Sequence, residues 1–325
     1  MSAATGTPVK SPHPPAASTG PHGPHDPAER ERARARRRAR LAEHVTGYGF
    51  LCAALIVFAL FSWYPIARNV ALAFQEVNFA TGNSWVGLEN FRRLADDPLT
   101  VTAWRNSALF TLYALLLGYA VPFVTAIVVN EFRHARAYFR VLVYLPVMLP
   151  PVVVALMWNW FYDPGPGLAN ELLRTLHLPT SAWIDSADTS LVSLVVVATW
   201  ANMGTTTLIY LAALQTIPGE LYEAAELDGA NLWQRVRHVT IPQTRFVLLI
   251  LMLLQIVATM QVFTEPFVMT GGGPDDSTVT VMLLIYRHAF VYDDFGTASA
   301  LSLLLLIVLG LFSAAYLRLT RTRET

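Results

Sequence analysis

The chain has 325 residues, 54% of them hydrophobic and 14% charged, with a mean hydropathy of +0.42; a soluble domain carries about 25% charged residues. Several apolar runs approach or exceed about 18 residues, which excludes an ordinary soluble fold and sets the class as an all-α polytopic membrane protein. The net charge of +0 hides a strong asymmetry along the chain, and a single cysteine, Cys52, excludes an intramolecular disulfide.

Residues 1–29 are rich in Pro, Ala, Ser, Thr, Gly and His and lack the apolar content for a core. Arg30, Arg32, Arg34, Arg36, Arg37, Arg38 and Arg40 follow, so 1–44 reads as a disordered, Arg-rich tail. Such a run suits nucleic acid in other settings. Placed before a membrane helix, it reads instead as a flank against anionic lipid headgroups, and no nucleic-acid partner is expected. Residues 45–320 then form one membrane domain. Six spans are predicted, near 46–73, 107–130, 139–162, 190–214, 244–268 and 297–317. Cys52 in the first reads as a small packed hydrophobe. The apolar segment Val279–Phe290 is too short to cross and reads as an interfacial or re-entrant piece.

Arg and Lys placement orients the chain. With the N-terminus inside, the inner segments hold Lys10, the Arg run, Arg133, Arg136, Arg140, Arg235, Arg237, Arg245, Arg318, Arg321 and Arg323. Acidic residues such as Asp96, Asp97, Asp275 and Asp276 gather on the other side. Both termini, and the stretch 219–242, are therefore expected in the cytoplasm.

That stretch is polar and helical in character although it lies between two apolar runs. Glu223, Ala224, Ala225, Glu226 and Leu227 favour a helix, Asp228-Gly229 breaks it, and Asn231 caps a second short helix carrying Trp233, Arg235 and Arg237. Pro242 marks the return to the next apolar run. Earlier, Trp85-Val86-Gly87-Leu88-Glu89-Asn90-Phe91 follows the first span, and Pro146, Pro150 and Pro151 interrupt the third. Later, Thr270-Gly271-Gly272-Gly273-Pro274 demands a tight turn.

Together these segments resemble the permease subunits of ABC importers. Glu223-Ala224-Ala225, Gly229, Val239, Ile241 and Pro242 match the spacing of their EAA loop, with Val239 and Ile241 as apolar replacements. Gly87-Leu88, Asn90-Phe91 and the TGGGP turn are similar to those of the carbohydrate subgroup, the maltose- and glycerol-phosphate-type permeases. The resemblance implies six transmembrane helices with a cytoplasmic coupling loop, a second permease subunit as heterodimer partner, two ATP-binding subunits and an extracytoplasmic solute-binding protein. It implies an ATPase-docking set of Glu223, Ala224, Ala225, Asp228, Gly229 and Arg235. Here Glu223 would pair with a basic residue of the ATPase, the two alanines would keep the face small, and Gly229 would permit the turn.

No chemistry of bond making is written into the chain, so it is not expected to be an enzyme or to hold a cofactor or metal. A P-loop needs a Lys after its Gly-rich turn, and the only Lys is Lys10 in the tail. The spans hold almost no ionisable residue for an ion-coupled carrier, the rival class; Glu265 beside Pro266 is the one candidate. Neutral polar groups mark a path for a hydroxylated solute instead: Asn202 and Thr205 beside Trp200, and Gln255 with Thr259 four residues on. In the resembling maltose-type permeases these stretches line the sugar site, which implies ring stacking by Trp200 and hydroxyl bonding by Asn202, Gln255 and Thr259. Hydrogen bonding between helices is the alternative for each. A glycerol-phosphate or other polyol fits the same pattern.

Overall fold

The computed structural model describes residues 27–78, 80, 82–131 and 136–321. The chain divides into two units, Met1–Pro65 and Ile66–Thr325. In the first, α1 (Pro27–Phe58) runs into a π-helical turn at Ala59–Trp63. Ala, Arg and Glu in its first half are strong helix formers. The Arg run lies on a helix from Pro27 onward, while residues 1–26 lie outside the described residues. No described side chain of this unit is buried, and Leu51, Leu55, Phe58, Phe61 and Cys52 are all exposed.

Helix continues as α2 (Tyr64–Leu72), and a short hairpin, β1 (Gln75–Glu76) antiparallel to β2 (Ser84–Trp85), follows. Asn90, at the start of α3 (Glu89–Asp96), is fully buried and donates to the carbonyls of Ala73 and Gln75, both at 3.0 Å. It therefore ties the GL-NF segment to the chain before the hairpin. Asp97 then caps α4 (Pro98–Ala114) by accepting from the Leu99 amide at 2.8 Å, with Pro98 in the first turn, where a missing N–H is harmless. A π-helical turn joins α4 to α5 (Ala120–Glu131) in one 34-residue helix.

The third apolar run does not form a straight span. α6 (Arg136–Tyr144) and the 3-10 turn Leu145–Met148 are separated from α7 (Pro151–Phe161) by a 96° bend. The cause is local. Each residue preceding a proline is driven out of the helical region, and Leu149 and Pro150 take ψ of 141° and 132° ahead of Pro150 and Pro151. α8 (Leu168–Thr175) and a turn at Trp183–Asp185 lead to α9 (Ser190–Gln215). α10 (Gly219–Leu227) and α11 (Leu232–Arg235) follow, and α11 continues through a π-helical turn into α12 (Ile241–Met260). α13 (Val281–Tyr286) and α14 (Phe295–Arg321) complete the chain.

Among the described residues, five helices are long and apolar enough to cross a membrane, or six if the bent pair counts as one span. The fifth differs from its expected bounds: it is continuous over Leu232–Met260 rather than 244–268, because Pro242 falls in the first turn of α12 and breaks nothing. Within Val279–Phe290, Val279, Val281 and Leu284 are 0% exposed and pack with Ala300 and Leu301 of α14, while Phe290 is exposed; the helical part is shorter than a span. Arg133 lies outside the described residues.

Three apolar clusters hold the second unit. One joins α4, α7 and α9 through Phe110, Val154, Leu194 and Val195; the second joins α4, α13 and α14; the third joins α5, α9 and α12 around Tyr210. Tyrosine hydroxyls bracket α12, Tyr119 donating to Leu248 O and Tyr316 to Leu249 O, both at 2.9 Å. Gly204 lets α9 approach the broken span closely: a Cβ there would lie 2.5 Å from the Val143 carbonyl.

Candidate functional site

Two features stand apart from the packed core. The first is a cavity of about 620 Å³ enclosed by α4, the broken span, α9 and α12. α9 turns Ala198, Asn202, Thr205 and Ile209 to it, and α12 turns Leu251, Leu254, Gln255 and Ala258. Steps of three and four residues put each set on one helix face. Gly118 makes room for the Gln255 side chain, since a Cβ there would lie 2.9 Å from the Gln255 amide nitrogen.

Of the residues expected to line a path, Asn202, Thr205, Gln255 and Thr259 come together on this wall. Trp200 does not. It packs edge-on against Trp158, ring centroids 5.7 Å apart, within the cluster around Val195. The Asn202 amide nitrogen donates to Ala198 O at 2.9 Å, leaving its side-chain oxygen to accept a further bond. Thr259 donates back to Gln255 O at 2.8 Å. Sequence reasoning missed Thr199, Thr206, Gln261 and Thr264, which also line the cavity. A signal was present: Thr206 follows Asn202 by four residues, as Glu265 follows Gln261.

The second feature is the loop 219–240 at the end of the bundle where α9 stops and α12 begins. α10 has no buried residue, and Gly229 ends it in the left-handed region at φ +74°. Asn231 and Gln234 form a reciprocal capping box, Asn231 accepting from the Gln234 amide at 2.9 Å and Gln234 from the Asn231 amide at 2.8 Å. The second arm is no free-standing helix, as the sequence suggested, but the opening turns of the fifth span. Two contacts brace the arms: Arg235 pairs with Glu226, and the Tyr222 and Thr240 hydroxyls lie 3.0 Å apart. Glu223, Ala224, Asp228 and Gly229 are exposed and Ala225 is half-buried. Leu227 is 90% exposed and Trp233 68%.

At the other end, the TGGGP turn is held by its neighbours. Asn106 of α4 donates to Asp276 O at 2.8 Å and Val279 O at 3.0 Å, and Arg287 donates to Gly271 O at 2.7 Å.

Residues 118–323 match the family described as "Binding-protein-dependent transport system inner membrane component". The chain belongs to this family. The permease is 34% identical over 280 residues to the probable ABC transporter permease protein YurN of Bacillus subtilis, covering 85% of this chain and 96% of that one. It is 29% identical to the sulfoquinovosyl glycerol transport system permease protein SmoG of Agrobacterium fabrum, covering 87% and 93% of the two chains. Its fold matches, with a TM-score of 0.76 at 22% identity over 88% of this chain and 99% of the other, a chain of a bacterial ABC transporter that imports the acidic polysaccharide alginate. The permease is therefore a multi-pass inner-membrane component of an ABC transport system.

Proposed function

We propose that this permease is one of two permease subunits of an ATP-driven importer for a carbohydrate, and that residues 45–320 form its transport domain. The observation that carries this reading is the cavity between α9 and α12, whose wall bears the neutral polar groups Asn202, Thr205 and Gln255. Such groups bond sugar hydroxyls without the burial of an unpaired charge. The free acceptor of Asn202 takes a hydroxyl proton. Thr259 is engaged on both sides, with Gln255 O at 2.8 Å and the Thr111 hydroxyl of α4 at 3.1 Å, so it ties α12 to α4 beside the path. Trp200 acts through the wall it packs, not by stacking on a sugar ring. A relative named for sulfoquinovosyl glycerol transport supports a saccharide cargo.

The loop 219–240 seats an ATP-binding subunit. Glu223, Ala224, Ala225 and Asp228 form the seat with Leu227 and Trp233, Gly229 sets its angle, and Arg235 braces it through Glu226. The Arg distribution supports a cytoplasmic position for this loop and both termini. A second permease completes the path, two ATP-binding subunits drive it, and an extracytoplasmic binding protein delivers the solute. Closure of the ATP-binding subunits then moves the paired loops and rocks α9 and α12, a rigid-body change between two packings.

The test is purification of the tagged chain from its native membrane in mild detergent, with mass identification of what accompanies it. A second permease, a P-loop ATPase and a binding protein that takes up saccharides are expected. A chain that comes down alone, with uptake driven by an ion gradient, overturns the reading.

A further inference from the structure

The cavity wall is single-signed. Glu265, just past the end of α12, lines it, and no Arg, Lys or His does among the described residues. Glu265 is half-buried and forms no ion pair among the described residues. Arg287, at the same end of the bundle, does not offset it: its guanidinium is bound to Gly271 O at 2.7 Å and paired with Asp276 at 3.6 Å. The remaining wall is neutral and largely apolar, with Val154, Val197, Leu251 and Val262 among its residues. Burial raises the Glu265 carboxyl above the ordinary carboxylate value, so the group carries its charge only at a pH above that raised value. Ionised, it is poorly screened here, and a concave site lined by one sign of charge focuses its field on whatever enters.

We propose that Glu265 is a charge filter: the path admits neutral or cationic hydroxylated solutes and disfavours anionic ones such as sugar phosphates, sulfonates and uronates. This rests on the cavity being the solute path. It separates the permease from a carrier of glycerol-phosphate compounds, which needs a cation facing its solute. It also separates it from the alginate transporter whose fold it shares. The filter acts on passage itself, downstream of any choice the binding protein makes.

The test uses the full chain in its native membrane with its partner subunits, so that both halves of the path are read together. Cys52 is replaced by Ala and a single cysteine is placed at Thr205. The thiol is then modified with two methanethiosulfonates of similar size, one bearing trimethylammonium and one sulfonate. The same pair of rates at Leu178→Cys, in an exposed loop at the Glu265 end, supplies the reference ratio. The cationic reagent is expected to be favoured at Thr205→Cys by about tenfold over that reference, and the preference to collapse in Glu265→Gln. If both reagents react but the ratio equals the reference, or is unmoved by Glu265→Gln, the filter is wrong and the path stands. If neither reagent reaches Thr205→Cys while Leu178→Cys reacts, the cavity is not an aqueous path, and the transport reading of the wall falls with the filter. The ratio in the native Glu265 background stands by itself as a readout should the Gln variant fail to insert.

Discussion

At the scale of single residues, three glycines decide geometry that no other residue type supplies. Gly229 sits at φ +74° with open space around its missing Cβ, so a side chain there is opposed by backbone conformation and not by crowding. Forcing an L-residue into that region costs roughly 1–2 kcal/mol. Gly229→Asp is expected to leave the spans inserted while tilting α10 away from its seat, so that co-purification of the ATP-binding subunit and solute uptake both fall. Normal values of both in that variant refute the docking role. Gly204 is the opposite case. Its Cβ would lie 2.5 Å from the Val143 carbonyl, so Gly204→Ala must push α9 off the broken span. Overpacking of this kind costs about 1–3 kcal/mol, and the melting temperature in detergent should drop, whereas Gly310→Ala, which meets nothing within 4 Å, should leave it unchanged. Gly118 opens the space that the Gln255 side chain occupies, and Gly118→Val is expected to displace it and weaken solute uptake without loss of assembly.

At the scale of elements, an ion pair in the loop and a buried asparagine beside the hairpin each tie two segments together. Arg235 and Glu226 join the two arms of the loop. Either Glu226→Arg or Arg235→Glu alone places like charges together and should uncouple ATP hydrolysis from uptake, while the double exchange should recover most of it. Failure of the exchange to recover more than the single variants removes the bracing role. Asn90 satisfies two backbone carbonyls at once from a fully buried position. Asn90→Ala removes the donor to both at about 1–3 kcal/mol each, and chymotrypsin should then cut the 75–90 region, at Phe79 or Trp85, in membranes where the native chain resists. Much of the loop was legible in sequence: the helix formers, the Asp228-Gly229 break and the Asn231 cap are local chemistry. The continuation of α11 into α12 was not, because Pro242 reads as a breaker unless its position in the helix is known, and within the first turn it is compatible with helix.

At the scale of the whole molecule, the distribution of arginine argues for one orientation. A protease added to sealed, right-side-out cells should spare a tag at either terminus and digest both after permeabilisation; digestion before permeabilisation inverts the proposed topology. The cavity exists only because α9 and α12 are held apart at one face by the bent third span while Tyr119 and Tyr316 fix α12 from two sides. Sequence periodicity put Gln255 and Thr259 on one face and Asn202 with Thr205 on another, yet it could not say that the two faces meet. Nor could it tell that Trp200, one and a half turns from Thr205, points into the core against Trp158.

The sequence by itself determined the class, the number of apolar runs, the bias in charge and the motifs that tie the chain to its family. These follow from composition and local spacing, and each residue's contribution is nearly independent of its distant neighbours. Tertiary structure alone decided which polar groups share a cavity, that Arg235 is spent on Glu226, and that Glu265 faces the cavity wall with no basic partner. The cavity and the setting of Glu265 depend on helices brought together from far apart in the chain, and on a 96° bend whose proline cause is local but whose effect on packing is global; the Arg235 pair depends on how the loop folds back on itself.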